Sequence, residues 1–118
     1  MPKMPTFDKS PAELVARFEA AAARHPEAQR RQMFGYPALF VGGNLATGLF
    51  ADAWMVRLGT GDLAALLAMP GAGPFSPMPG RSMTGYATLP PDVVADDDAL
   101  DGWLVRAIAF AGSLPAKG

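Results

Sequence analysis

Residues 37–50 have the sequence PALFVGGNLATGLF, in which two short apolar runs are separated by a pair of glycines. Two such runs joined by Gly-Gly are typical of a β-hairpin, because glycine adopts the positive backbone angles that a two-residue turn requires. A turn of this length connects antiparallel strands only. Gly48, inside the second run, indicates a bulge or strong curvature. The stretch therefore predicts an antiparallel sheet at the centre of the fold.

Further strands on both sides of the hairpin extend it into a meander. A short strand is expected to start at Met33 and Phe34 and to be broken by Gly35. Residues 53–58 predict the next strand, in which Trp54, Val56 and Leu58 share one face while Met55 and Arg57 share the other. Residues 83–89 predict a last strand, which ends at two consecutive prolines.

Three helices are expected beside this sheet. Residues 10–13, Ser-Pro-Ala-Glu, form a capping-box pattern with proline at the first helical position. Residues 62–69 predict a short middle helix with Thr60 as its cap, and residues 97–113 carry the most regular helical stripe, with aspartates at its start. We therefore expect a single α+β domain over residues 1–118: a curved antiparallel sheet with N-terminal, middle and C-terminal helices packed on it, in the order α-β-β-β-α-β-α.

Composition excludes several classes of protein. The chain of 118 residues has no cysteine, which excludes disulfide scaffolds, zinc–thiolate sites and thiol catalysis. A net charge of −1 and a pI near 5.7 argue against direct nucleic-acid binding. The amino terminus lacks a signal-peptide pattern, and no apolar run reaches the roughly 20 residues of a membrane span. A cytoplasmic protein without membrane contact is expected.

Known catalytic and metal-binding patterns are matched poorly. Residues 59–64, GTGDLA, fit the G-x-G-x-x-A dinucleotide pattern, but that fingerprint belongs to a parallel βαβ unit and the strands here are predicted to be antiparallel. His25 has no second histidine or cysteine near it in sequence, and the aspartates at 96–98 lack the spacing of a calcium loop. No serine lies in a nucleophile elbow. We predict no cofactor, no metal site and no catalytic residue.

A loop rich in proline and glycine, residues 70–80, is longer than its connection requires, and such loops often carry function. We predict a binding surface between this loop and the segment that starts at Met33. The candidate binding residues are Met33, Phe34, Gly35, Tyr36, Phe75, Arg81 and Tyr86. Arg81 would hold an anion and Tyr86 would orient it. In the alternative interpretation, Phe75 and Met78 simply fold back onto the core.

Residues 32–41, QMFGYPALFV, with GNLA at 43–46, resemble the N-terminal domain of the TfoX (Sxy) competence regulators and their stand-alone relatives. Residues 79–86, PGRSMTGY, and the later helix that bears Trp103 are also similar, although Tyr36 stands where a second glycine is commoner. The resemblance implies an α+β domain with an antiparallel sheet. In full-length members this domain precedes a helical C-terminal domain, and the protein takes part in competence-gene regulation.

Two functions are considered on these grounds. The first is a small non-enzymatic regulatory or protein-interaction domain, expected to be a homodimer whose interface uses Val105 and Phe110, because both lie at or beyond the edge of the main helical stripe. The second is a small-molecule, anion-binding protein or minor enzyme with a pocket near Arg81 and Tyr86. The sequence names no protein partner.

Overall fold

The computed structural model describes residues 10–33, 35–76 and 84–116. In this part of the chain the helices are α1 (Ala12–Ala23), α2 (Thr60–Leu67), α3 (Pro91–Ala95) and α4 (Asp97–Ser113). The strands are β1 (Gln29–Met33), β2 (Tyr36–Val41), β3 (Asn44–Phe50), β4 (Ala53–Arg57), β5 (Gly73–Pro74) and β6 (Tyr86–Thr88). The α+β class and the expected order of helices and strands are confirmed. The described chain has four strands before α2 where that order names three, and α3 and β5 are short additional elements.

The strands form one six-stranded antiparallel sheet in the order β1-β2-β3-β4-β6-β5. The first four strands are the predicted meander, and Gly42 and Gly43 make the β2–β3 turn with φ angles of 58° and 82°. Helix α2 connects β4 to β6, which are antiparallel neighbours. The GTGDLA segment therefore lies outside any parallel βαβ unit.

The irregularity predicted at Gly48 lies two residues earlier. The register between β2 and β3 shifts after Leu39, which leaves Ala46 as the extra residue of a bulge. Gly48 instead marks a close approach of the two strands, because a Cβ atom on it would lie 3.1 Å from the Cβ of Ala38. A side chain at position 48 would push β3 away from β2.

One face of the sheet, here called the inner face, carries the main core. Helices α1, α2, α3 and α4 all contribute buried side chains to it, and the stripe predicted for the C-terminal helix is buried as expected. The largest of these residues are Phe18, Leu39, Leu49, Trp54, Leu66, Trp103 and Leu104. None of the helices in the described ranges is both long and apolar enough to cross a membrane.

Two predicted helix caps are wrong. The Ser10 hydroxyl does not cap α1 but donates a 2.6 Å hydrogen bond to the carbonyl oxygen of Ala51, 41 residues away. Thr60 is already inside α2, which begins after Gly59 with no side-chain cap. Ser10 does not cap α1 because its hydroxyl has a tertiary partner. Thr60 does not cap α2 because that helix begins two residues earlier than predicted.

The aspartates before the last helix do act as predicted. The carboxylate of Asp96 accepts hydrogen bonds from the backbone N–H groups of Asp98 and Ala99 at 3.0 and 3.2 Å. These bonds satisfy amide groups that the first turn of a helix leaves without partners. Helix capping therefore accounts for the start of this acidic run.

The first strand was predicted in the wrong place. It spans Gln29–Met33, so it ends where it was expected to begin, and Arg30 and Arg31 lie within it. Strand β1 is an edge strand, and its main contact is backbone pairing with β2. Its side chains are therefore mostly exposed. A polar edge strand has no hydrophobic pattern by which the sequence could reveal it.

Candidate functional site

The face of the sheet turned away from α1 and α4 carries a second apolar cluster, here called the outer-face cluster. Alternate side chains of the strands point to it, as the pleat requires. Its buried members are Ala38, Leu45, Met55 and Phe75, and its partly buried members are Met33, Phe40, Phe50 and Tyr86. Met55 lies on this face while Trp54 and Val56 lie on the inner one. The sheet is therefore apolar on both sides.

The structure brings three of the predicted site residues together in this cluster. Met33 comes from the end of β1, Phe75 follows β5 and Tyr86 begins β6. Phe75 is only 2% exposed, so the interpretation in which it folds back onto the core is confirmed. Met33 and Tyr86 remain partly exposed. Met33 and Tyr86 are therefore the two of these residues that retain accessible surface. Met78, which the same interpretation folds onto the core, lies outside the described residues.

Other predicted residues are placed differently. Tyr36 is buried at 4% exposure, and its ring lies against that of Phe50. Gly35 makes the exposed turn between β1 and β2 with a φ angle of 83°. Phe34 and Arg81 lie outside the described residues. The predicted role of Arg81 in holding an anion stays a prediction.

Four aromatic rings connect these positions in a row across the sheet. Ring centroids are separated by 5.1 Å between Tyr36 and Phe50, 5.6 Å between Phe50 and Phe75, and 6.5 Å between Phe75 and Tyr86. The tilted and edge-on angles are those that aromatic pairs favour. Tyr36 belongs to the main core and Phe50 packs against both clusters, so the row connects the main core with the outer-face cluster.

Two arginines that the sequence analysis did not select lie over rings at the margins of this face. The guanidinium of Arg31 lies 5.8 Å from the centroid of Phe40. That of Arg57 lies 5.5 Å from Tyr86 and 5.9 Å from Phe110. Neither arginine forms an ion pair with a residue of the described ranges. Successive side chains of β4 point to opposite faces, so Arg57 lies on the same face as Met55. This alternation is the signal from which the sequence analysis could have selected Arg57.

The outer face is consequently positive. None of the six strands contains aspartate or glutamate. Arg30 is on the inner face, because Leu39, its partner in β2, belongs to that face. Its guanidinium donates a hydrogen bond to the carboxylate of Glu19 in α1, which compensates its charge. This hydrogen bond lowers the pKa of the Glu19 carboxyl. Arg31 and Arg57 have no such compensation from the described residues.

Burial raises the pKa of the Tyr86 hydroxyl above its ordinary value, and the nearby Arg57 guanidinium offsets part of the rise. The phenol is therefore neutral over the physiological range and can donate a hydrogen bond. Together with Arg57 it offers hydrogen-bond donors to an acceptor at this end of the sheet.

His25 makes a buried contact that holds α4 against the chain segment after α1. Its Nε2 lies 2.7 Å from Oδ1 of Asp101, and its side chain is almost fully buried between the end of α1 and α4. Over residues 10–33, 35–76 and 84–116 no three histidine, aspartate or glutamate side chains are grouped as metal ligands. The pair links the two longest helices of the described chain.

The residues expected at a homodimer interface differ in their exposure. Val105 of α4 is 49% exposed. Phe110 is half-buried, with Arg57 over its ring and the backbone of Gly59 beside it. Val105 is the one of the two that a second copy can reach directly.

Comparison with known proteins gives one match. A family model described as the TfoX N-terminal domain matches residues 18–111, from the middle of α1 to the last turn of α4. The matched segment thus contains the whole sheet, helices α2 and α3, the second half of α1 and all of α4 except its last two residues. No curated protein and no solved structure is significantly similar to the chain.

Proposed function

The chain belongs to the TfoX N-terminal domain family, and from this premise we propose that it is a non-enzymatic regulatory domain that works by binding a protein partner. The observation that carries the proposal is the outer-face cluster, with its partly exposed methionine and aromatic residues and its two uncompensated arginines. Methionine, aromatic residues and arginine are enriched at protein interfaces, where tyrosine and arginine often contribute most of the binding energy.

The chemistry of the face indicates what kind of partner fits. Met33, Phe40 and Tyr86 offer an adaptable apolar surface, since methionine packs against differently shaped neighbours. Arg31 and Arg57 at the margins favour carboxylates, which their planar guanidinium groups bind with two parallel hydrogen bonds. The partner would present an apolar patch flanked by aspartate or glutamate.

Affinity capture from an extract of the native host tests this proposal. The purified domain is compared with a double variant of the outer face, Arg31→Ala with Phe40→Ala. The control, Leu67→Ala with Arg106→Ala, also removes one arginine and one apolar side chain, but from the exposed surfaces of α2 and α4. The captured partner is then purified, and its Kd for each variant is measured by calorimetry. We expect the outer-face variant to bind at least tenfold more weakly and the control to bind as the original does. Equal binding by the two variants, both shown to be folded by circular dichroism, would refute the proposal.

A second candidate, anion binding, is favoured by the position of Arg57. Its guanidinium lies over the Tyr86 ring and makes no hydrogen bond with any described residue, so its N–H groups are available to a ligand. Titration with citrate, followed by NMR, would shift the Tyr86 resonances in the original protein and much less in Arg57→Gln. Unchanged spectra up to millimolar citrate would exclude this candidate.

Homodimerisation through α4 is proposed on the exposure of Val105. A valine that is half exposed on a helix gains apolar contact when a second copy covers it. Light scattering at high micromolar concentration should give the mass of two chains for the original protein and of one chain for Val105→Asp. A mass of one chain for both would remove the dimer from the proposal.

A further inference from the structure

We infer that a groove beside the start of α1 is a binding site for a small organic cation, meaning an apolar body that carries a protonated amine. The groove lies between the first turns of α1, the β3–β4 turn and the segment that leads into α3. Its volume is about 630 Å³, within the range of pockets that bind small molecules. It shares no lining residue with the outer-face cluster, so the site is independent of the function proposed above.

The floor of the groove is apolar. It is formed by Leu14 of α1, Trp54 of β4, Leu89 after β6 and Val94 of α3. Trp54 and Leu89 are buried, whereas Leu14 and Val94 are partly exposed. An apolar ligand body placed here would remove hydrocarbon surface from water on both partners, which favours binding.

The rim of the groove determines the charge of the ligand. Glu13 and Asp52 line it, and neither carboxylate forms a hydrogen bond or ion pair with any residue in the described ranges. Arg17 also lines the groove, but its guanidinium is bound to the carboxylate of Asp97 and to the carbonyl oxygen of Val94. The one cation of the lining is thus compensated. Asp52 has no compensating partner among the described residues, and Glu13 is offset only by the partial positive charge at the start of α1. This balance favours a positively charged ligand.

The backbone holds Asp52 at the groove in a strained turn. Ala51 has a φ angle of 52°, and it is the only non-glycine residue of the described chain with a positive φ. The hydroxyl of Ser10, which precedes α1, donates a hydrogen bond to the carbonyl oxygen of Ala51 and so fastens the turn to the opposite wall. Because Phe50 pairs with Ala53, residues 51 and 52 form a two-residue hairpin turn, and a turn of this length itself requires the positive φ angle of Ala51.

NMR titration of the full chain with 2-phenylethylammonium chloride tests the inference. The anion 3-phenylpropionate and the neutral 2-phenylethanol serve as probes of the same shape, at constant ionic strength. We expect saturable shifts of the Trp54 indole N–H and of the Asp52 amide with the ammonium compound, weaker binding of the alcohol, and no binding of the carboxylate. Equal shifts from all three probes, or shifts outside the groove only, would overturn the inference.

Variants of the rim give the second arm of the test. Glu13→Gln with Asp52→Asn should weaken binding of the ammonium compound about five- to tenfold, since each exposed ion pair contributes only modestly. Asp92→Asn, an exposed carboxylate of α3 outside the lining, should leave the Kd unchanged. Both rim residues are exposed, so the double variant is expected to fold. An unchanged Kd in a folded double variant would contradict the assignment of the charge.

Discussion

The indole N–H of Trp54 donates a 2.9 Å hydrogen bond to the hydroxyl of Thr47, which donates a 2.7 Å bond to the carbonyl oxygen of Met55. Both side chains are almost completely inaccessible to water. The threonine thus satisfies a buried donor that would otherwise have no partner, and it ties β3 to β4 in the middle of the main core. The stability of the sheet depends on this small polar chain in an apolar environment.

Replacing Thr47 by valine keeps the shape of the side chain and removes the acceptor for Trp54. We expect Thr47→Val to lower the free energy of unfolding by about 1–3 kcal/mol, the cost of leaving a buried donor unpaired. Urea unfolding followed by tryptophan fluorescence measures it. Thr47→Ser, which keeps the hydroxyl and loses a methyl group, is the control. A smaller loss for the valine variant than for the serine variant would contradict the assigned role of the hydroxyl.

The contact of His25 with Asp101 predicts a specific loss of stability. Asp101→Ala leaves the buried imidazole without its hydrogen-bond partner, so we expect a decrease of about 1–3 kcal/mol in the free energy of unfolding. Asp98→Ala removes an exposed carboxylate from the same helix and should cost less than about 1 kcal/mol. Chemical denaturation at neutral pH compares the two. Equal losses would show that only the charge at the start of α4 matters.

The positive φ angle of Ala51 predicts that glycine is better there. Ala51→Gly removes the contact of Cβ with the backbone in the left-handed region, and the gain is reduced by the greater freedom of glycine in the unfolded chain. We expect a net stabilisation of up to about 1 kcal/mol, measured as a rise in the urea midpoint. Ala53→Gly, two residues later in β4, should instead destabilise by about 0.5–1 kcal/mol. A loss of stability in both variants would refute the strain at Ala51.

Ionisation of Tyr86 should destabilise the fold at alkaline pH. Because burial raises the pKa of the Tyr86 hydroxyl, the folded state holds this proton more tightly than the unfolded chain does. Its contribution to stability is therefore complete below about pH 10 and is lost as the pH rises through the folded value. NMR titration of the Tyr86 ring carbons follows the ionisation directly.

Arg57 provides the control for this pH dependence. Removing its charge in Arg57→Gln should raise the pKa of Tyr86 further, since the guanidinium favours the phenolate. Arg106→Gln, whose guanidinium lies over Trp103 instead, should leave it unchanged. A pKa of Tyr86 that falls in Arg57→Gln would show that the arginine is not the neighbouring charge.

The parts of the fold that local patterns encode could be predicted from the sequence. Helix α4 was predicted over its full length because its apolar stripe, from Leu100 to Ala111, repeats over about three turns and its start carries aspartates. The β2–β3 hairpin followed from a pair of glycines between apolar runs. In both cases the residues that decide the structure are neighbours in the chain.

The remainder depends on contacts between distant residues. The two-residue strand β5 and the five-residue helix α3 are too short to show a period. The hydroxyl of Ser10 donates its hydrogen bond to Ala51 in the β3–β4 turn, 41 residues away. It therefore does not cap α1, and the capping box predicted from residues 10–13 does not form. For the candidate site, Met33, Phe75 and Tyr86 do lie in one cluster, and their role in binding stays a prediction. The arginines over the rings became visible only when strand pairing fixed which residues share a face.

The two edge strands of the sheet, β1 and β5, have features that oppose aggregation. The strand at one margin, β1, carries two arginines, and the strand at the other, β5, has two residues and ends in Pro74, which lacks a backbone N–H. Charge, shortness and proline each discourage a foreign strand from adding to an exposed edge. Neither edge of the sheet therefore favours backbone pairing with another chain, although its outer face is apolar.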